Sequence, residues 1–300
     1  MTRLLLGLPA PAKLNLFLRV LGRRPDGLHE LKTAFVAIDL ADTLDLELLD
    51  DDRIERRGDL TGPAEDDLAV RAARLLQSAS GCGRGVRIDL EKRVPTGAGL
   101  GGGSSDAATA LLALNRLWRL NWPREQLAQV ALRLGADVPF FLQPGPALGQ
   151  GVGERLTALA LPARWYALIY PQVHVSTAEI FQSAELTRHL KRAKLSSFSE
   201  GSAAIREDRP EAECASEGVA NAPEDLGNDL ELIVRRRVPE VDAAIRYLAE
   251  FGSARMSGSG ASVFAAFETQ AQAQRAIAGA PSEWSSWAVA GLTEHPLASW

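Results

Sequence analysis

Apolar positions recur at every second residue through Leu14, Leu16, Leu18 and Val20, interleaved with Asn15, Phe17 and Arg19. That alternation predicts a strand with one face toward a core. Period two also puts Lys13 and Asn15 on one face, roughly 7 Å apart, so both can reach one ligand. The same pattern predicts strands at Leu44, Leu46 and Leu48, closed by Asp50 to Asp52, and at Val86, Ile88 and Leu90. Between them, Leu68, Ala72, Leu75 and Leu76 have the spacing of a helix over 66–79. Ala107, Ala108, Leu111, Leu112 and Leu114 predict another, running to Trp118, with Ser104, Ser105 and Asp106 at its N-cap and first turn. A helix over about 124–134 ends at Gly135, a natural residue beyond a helix C-terminus. Pro139 then pushes Val138 into an extended conformation, which puts Asp137 on a connection between helix and strand.

The second half reads as a separate α+β unit. Its pattern predicts strands at 164–170, 262–267 and 286–292, and helices at about 177–190, near 228–250 and at 270–279. Between Ser196 and Asp225 only Phe198, Ile205 and Val219 interrupt a polar run, so that stretch reads as a long loop or disordered insertion. No internal repeat is visible. The chain has 300 residues, twice the usual ~150-residue domain. The expected class is therefore α+β with two domains, 1–158 and 159–300, and a flexible insertion at 196–225.

Composition narrows the function classes. Hydrophobic residues are 46% and charged residues 24%, enough apolar material for a folded core. A formal net charge of -5 argues against nucleic acid as the main partner, while leaving room for a local phosphate site. Cys82 and Cys214 cannot make a disulfide framework, and no Cys/His cluster suggests a resident metal. The apolar run from Met1 to Gly7 is too short for a signal segment, and no stretch could span a membrane. A cytoplasmic enzyme is the expectation.

The candidate chemistry is concentrated in Pro95, Thr96, Gly97, Ala98, Gly99, Leu100, Gly101, Gly102, Gly103, Ser104 and Ser105, between a strand and a helix start. Glycines let backbone N–H groups approach phosphate oxygens closely, and a helix N-terminus adds its dipole and free donors. Ser104 or Ser105 could also hold a magnesium ion carried by the phosphates. Gly97, Gly99 and Gly102 match the spacing of a dinucleotide fingerprint, but that motif sits at the first strand of a parallel domain and needs a later acidic residue. A Walker loop needs a Gly-Lys pair, which the chain lacks. A turn that binds nothing would not call for a serine pair after five glycines.

The segment Pro95 to Ala108 resembles the nucleotide loop of the GHMP kinases, the superfamily of galacto-, homoserine and mevalonate kinases. Pro11-Ala-Lys-Leu-Asn-Leu16 and Ser257-Gly-Ser-Gly-Ala-Ser-Val-Phe264 are similar to its other two motifs. Three features resemble one branch: Ala12 to Leu18, Arg24-Pro-Asp-Gly-Leu-His-Glu30, and Leu134-Gly-Ala-Asp-Val-Pro139. The resemblance covers about 9–180 and 226–293.

It implies a two-domain kinase with its active site in the interdomain cleft. The nucleotide-binding half would be 1–158 and the substrate-binding half 159–300. ATP with Mg²⁺ would phosphorylate the tertiary 2-hydroxyl of the cytidine-diphosphate ester of methylerythritol, in the non-mevalonate route to isoprenoid precursors. Carried over by matching positions, Asp137 is the catalytic base and Lys13 its charged partner. Asn15, His29, Thr177 and Phe181 line the substrate site, and residues 95–105 wrap the ATP phosphates. Taken alone, Lys13 would read as a solvated strand lysine, Asp137 as a turn or cap residue, His29 as part of a surface hairpin and Phe181 as core. Two positions depart from the pattern the branch implies. Leu28 stands where an aromatic commonly stacks on cytosine, and Asp67 where an amide often meets adenine. The alternatives are another small-molecule kinase of the superfamily, a non-catalytic nucleotide-binding regulator, and a dinucleotide-using oxidoreductase.

Overall fold

Strand β1 (Leu4–Arg23) runs antiparallel to β2 (His29–Leu49) along almost its whole length, from Leu4 opposite Glu47 to Arg23 opposite His29. Both strands in this computed structural model, which describes residues 3–58, 62–186 and 227–300, are longer than their alternating runs predict. Pro9 and Pro11 interrupt the sequence signal of β1 but not the strand, because among the described strands β1 pairs only with β2, and a missing N–H can be absorbed on its other edge. The predicted insertion at 196–225 and the last residues of the helix predicted over 177–190 lie outside the described residues.

Strand β3 (Ile54–Gly58) lies parallel to β4 (Gly85–Glu91), with α1 (Leu68–Ser80) as the crossover between them. Only Ile54 is apolar in β3, so no alternation marks it. β4 is antiparallel to β2, with Leu44, Leu46 and Leu48 opposite Leu90, Ile88 and Val86. These residues, with Ala72 and Leu76 of α1 and Leu111 and Leu114 of α2 (Gly102–Leu117), build the first core. Burying each such aliphatic side chain is worth about 1.5–3 kcal/mol, which is why the period-two and helical patterns meet here. Strands β5 (Ala147–Gly151) and β6 (Arg155–Ala158), unpredicted because glycine and polar residues dilute their pattern, extend this sheet from the upper half of β2.

Helix α2 begins at Gly102, earlier than expected. Gly101 is its N-cap in a left-handed conformation, so Ser104, Ser105 and Asp106 lie within the helix and do not cap it. Helix α3 (Arg124–Leu132) ends close to its predicted limit. Beyond it, Val138 is not extended. It opens a short 3-10 helix, Val138–Leu142, in which Pro139 occupies the first turn, where its missing N–H costs nothing.

The second half contributes β7 (Trp165–Tyr170), β8 (Ala254–Met256), β9 (Val263–Phe267) and β10 (Ser285–Leu292), in the order β10-β7-β9-β8. Its helices are α4 (Thr177–Phe181), α5 (Glu231–Arg237), α6 (Pro239–Ala249) and α7 (Gln270–Ile277). The helices predicted near 228–250 meet at Val238, because Pro239 cannot donate back into α5 and starts a new helix instead. A second core gathers Leu168, Val263 and Leu248 with Leu14, Ile38 and Leu40 from β1 and β2. β10 pairs with β7 and, through Gly291 and Leu292, with Ile38 and Ala37 of β2, so among the described residues one ten-stranded sheet joins the halves. The chain after β10 returns to the first core, where Leu297 is buried and Trp300 packs against it.

Candidate active site

A cleft of about 720 Å³ opens where the glycine segment meets β1, the 3-10 helix and two loops of the second half. Register irregularities in β1 flank Lys13 and Asn15, between Pro11 and Lys13 and between Asn15 and Phe17. Bulges of this kind re-aim side chains, and here both residues enter the cleft wall. The Lys13 ammonium is buried, donates to Asn15 Oδ1, and lies 5.7 Å from the centre of the Phe35 ring. Asn15 Nδ2 in turn donates to Thr33 Oγ1 at 2.8 Å, and Thr33 Oγ1 donates to the Phe17 carbonyl at 2.5 Å. This buried chain fixes the lysine head.

Asp137 stands opposite. Its Oδ2 is 3.5 Å from Lys13 Nζ. It occupies the residue before the 3-10 helix, yet its side chain makes no capping bond, so the carboxylate is left to the cleft. The five residues that follow, Val138–Leu142, are all buried, with Phe140 stacked on Phe35 at 4.9 Å between ring centres. An exposed carboxylate is thus carried on an anchored turn.

The glycine segment forms the adjoining wall. Of the expected phosphate-binding residues, Pro95 to Gly99 and Gly101 to Ser104 line the cleft, while Leu100 belongs to the second core and Ser105 is fully buried. No side chain caps α2, so the backbone donors of its first turn are available at the cleft. The loop is locked from the second half: Ser262 N donates to Ala98 O at 3.1 Å, and Ser257 Oγ to Gly99 O at 3.2 Å. Gly99, at φ +76°, permits this approach, because a Cβ there would lie 2.5 Å from the Ser257 carbonyl. Asn228 holds the opposing loop through the Met256 and Gly258 carbonyls.

Thr177 and Phe181 of α4 also line the cleft, and Thr177 shares a 2.7 Å hydrogen bond with Ser259. His29 does not line it but sits behind Phe181, with ring centres 5.3 Å apart. Partial burial, and then the charge of Arg23, lowers the His29 pKa from its ordinary value. Leu28 is exposed on the hairpin. Asp67 reaches the cleft with both oxygens engaged: Oδ1 caps α1 through Ala69 N and Val70 N, and Oδ2 pairs with Arg56 at 2.9 Å.

Several cleft residues carry no sequence signal of their own. Arg56 comes from β3, His174 from the segment after β7, and Val152 and Gly153 from the turn between β5 and β6. Lys92 lies behind the loop and bridges Asp42 and Asp106, the latter at 2.7 Å. Burial, reinforced by Asp42 and opposed by Lys92, pushes the Asp106 carboxyl up to about 7. Among the described residues, its Oδ1 and Ser105 Oγ are buried without a hydrogen-bond partner.

This arrangement can hold a polyphosphate beside a fixed cation and an open carboxylate. Comparison with known proteins identifies the family. Residues 67–145 match the GHMP kinases N terminal domain and 212–286 the GHMP kinases C terminal domain. A 4-diphosphocytidyl-2-C-methyl-D-erythritol kinase from Thiobacillus denitrificans is 50% identical over 96% of this chain and 96% of its own. A crystal structure of 4-(cytidine 5'-diphospho)-2C-methyl-D-erythritol kinase superposes with a TM-score of 0.74 at 37% identity, over 94% of this chain and 98% of that one. A homoserine kinase from Cytophaga hutchinsonii shares the fold, with a TM-score of 0.64 at 18% identity over 98% of this chain and 96% of its own. The chain belongs to the 4-diphosphocytidyl-2-C-methyl-D-erythritol kinase family of the GHMP kinases.

Proposed function

We propose that this protein transfers the γ-phosphoryl group of ATP to the 2-hydroxyl of 4-diphosphocytidyl-2-C-methyl-D-erythritol, a step of the non-mevalonate route to isoprenoid precursors. The observation that carries this reading is the Lys13–Asp137 pair, 3.5 Å apart, facing the glycine segment across one cleft. Asp137 takes the hydroxyl proton as the oxygen attacks phosphorus, help typically worth ~10²–10⁴ in rate. Lys13 orients the carboxylate from 3.5 Å and stabilises the charge that develops on the transferring group. Asn15 fixes Lys13 from the substrate side. Backbone donors at 97–104 cradle the phosphates, and positioning supplies most of the remaining catalysis. Thr177 and Phe181 hold the acceptor, with His29 supporting the Phe181 ring.

Magnesium belongs to the same reading, and the donors fit it. Ser104 and Asp106 line the cleft on the first turns of α2 and offer hard oxygen ligands, with Asp106 Oδ1 unpartnered among the described residues, while Ser105 is buried away from the cleft. The ion, when bound with the nucleotide, would neutralise phosphate charge. Residues 1–158 carry the phosphate loop and the Lys13–Asp137 pair, and 159–300 add Thr177 and Phe181 on the acceptor side. The net charge of -5 supports a small-molecule partner over nucleic acid. A cytoplasmic location completes the reading; among the described residues no helix is long and apolar enough to cross a membrane.

The test is ADP release from magnesium-ATP with the cytidine-diphosphate ester, mevalonate, homoserine and galactose as acceptors, with Asp137→Ala as control. Turnover with the cytidine ester alone, lost in the variant, is the expected result. Turnover with another acceptor would overturn the substrate, and ATP binding without turnover would favour the regulator.

A further inference from the structure

We infer that His174 is a ligand of the ATP phosphate chain, a contact that rests on the kinase reading and adds a residue outside its motifs. His174 belongs to the connection between β7 and α4 and lines the cleft. Its ring edge, Nδ1 and Cε1, lies over Gly97, where a Cβ would fall 2.4 Å and 2.8 Å from those atoms. Gly97 has φ +70°, so the loop turns its open side to the imidazole. The ring therefore supplies the wall that a side chain at position 97 would otherwise occupy.

The connection that carries the ring is held at both ends. Gln172 adopts φ +59°, unusual for a residue with a side chain, and its Nε2 donates to Ser285 Oγ at 2.6 Å. Val175 is buried, Ser176 caps α4 through Glu179 N, and Thr177 bonds Ser259. His174 itself is exposed to the cleft, and among the described residues its imidazole has neither a hydrogen bond nor an ion pair.

The charge inventory of the cleft points to its use. Lys13 pairs with Asp137, Lys92 with Asp42 and Asp106, and Arg56 with Asp67. Each of these cations meets a carboxylate before any ligand arrives. His174 is the basic side chain of the lining whose ring nitrogen is uncommitted, and it stands over the first glycine of the phosphate loop. A ring N–H donating to a phosphate oxygen would close the loop from the second half of the chain.

The experiment compares wild type with His174→Ala and His174→Gln in the full chain, reading the affinity for a non-hydrolysable ATP analogue, the KM for each substrate and the melting temperature. One hydrogen bond to a charged group corresponds to about a tenfold or greater loss of affinity. His174→Ala is expected to weaken the analogue and raise the ATP KM by that factor. The acceptor KM and melting temperature should hold, because the ring is exposed. His174→Gln, which keeps a donor, should recover most of the affinity. Unchanged analogue binding in His174→Ala, a change confined to the acceptor KM, or a His174→Gln variant as weak as His174→Ala would overturn the contact. A wild-type protein that binds no analogue would overturn the kinase reading along with it.

Discussion

Lys13 Nζ and Asp137 Oδ2 lie 3.5 Å apart, but the lysine side chain is 4% exposed and the aspartate 38%. The asymmetry separates their tasks. The buried cation is held by Asn15, Thr33 and Phe35, whereas the carboxylate can meet an incoming hydroxyl. Asp137→Asn keeps the shape and removes the base. It is expected to lower kcat by ~10²–10⁴ while leaving ATP-analogue affinity near wild type. A fall of less than about tenfold in ADP release would rule out the base role.

Lys13→Met should damage both activity and the fold. Asn15 Oδ1 loses its donor in a buried site, and an unsatisfied buried acceptor costs about 1–3 kcal/mol. Thermal melts should therefore separate the two variants: Lys13→Met melts earlier, and Asp137→Asn does not. Lys13→Arg is not expected to rescue, because a planar guanidinium does not reproduce the compact ammonium that donates to Asn15 Oδ1 and lies 5.7 Å from the Phe35 ring centre.

Phe181→Ala removes the ring that lies 5.3 Å from His29 and lines the cleft. Aromatic packing of this kind is worth about 0.5–1.5 kcal/mol beyond its buried area, so the acceptor KM should rise by roughly three- to tenfold or more. The ATP KM should stay constant. Steady-state titration of each substrate in turn distinguishes this from a general loss of activity.

Asp106 ties the phosphate loop to pH. Burial first, and then the Asp42 carboxylate, push its pKa up to about 7, against the opposing charge of Lys92. Between the ordinary carboxylate range and 7, the folded protein keeps a proton that the unfolded chain releases. Stability from this group is therefore greatest in acid, declines as pH rises through that window and levels off above it. Asp106→Asn removes the dependence. In melts without nucleotide, the variant's melting temperature relative to wild type should rise from pH 5 to pH 8, and a difference that stays flat would refute the assignment.

That Lys13, Asn15, Asp137 and most of the glycine segment meet at one cleft is legible through contiguous motifs that resemble the family, whereas taken alone Lys13 and Asp137 read as a solvated lysine and a turn residue. The first core is legible because alternation in β2 and β4 meets helical spacing in α1 and α2. His174, Arg56 and Lys92 are not, because tertiary structure alone brings them to the cleft. Strand β3 is charged along most of its length, and β1 passes through two prolines, so neither shows its extent in a periodic pattern. Val138 illustrates a competing preference: the bias before a proline yields to five consecutive side chains that can all be buried in a 3-10 turn.

The C-terminal residues brace the turn that carries Asp137. Arg124 donates to the Leu142 carbonyl at the end of the 3-10 helix and to the Leu297 and Ala298 carbonyls, at 2.6 Å and 2.8 Å. His295 N donates to Pro144 O, and His295 Nδ1 accepts from Leu297 N at 3.0 Å, which requires that nitrogen to be unprotonated. Burial first, and then Arg124, lower the His295 pKa from 6.5 to about 4. The unfolded chain takes up a proton in that window and the folded chain does not, so stability is full above the unfolded value and is lost as pH falls toward 4. The difference is on the order of 3 kcal/mol at its limit. His295→Gln should flatten the fall in melting temperature between pH 6.5 and 4.5, even if it lowers the plateau. Removing residues 296–300 deletes two of the three Arg124 acceptors together with buried Leu297. That truncation should lower the melting temperature and reduce kcat more than the ATP KM, because the disturbed element carries Asp137 and not the phosphate loop. Equal kcat in the truncated and full-length proteins would show that the turn keeps its geometry without the brace.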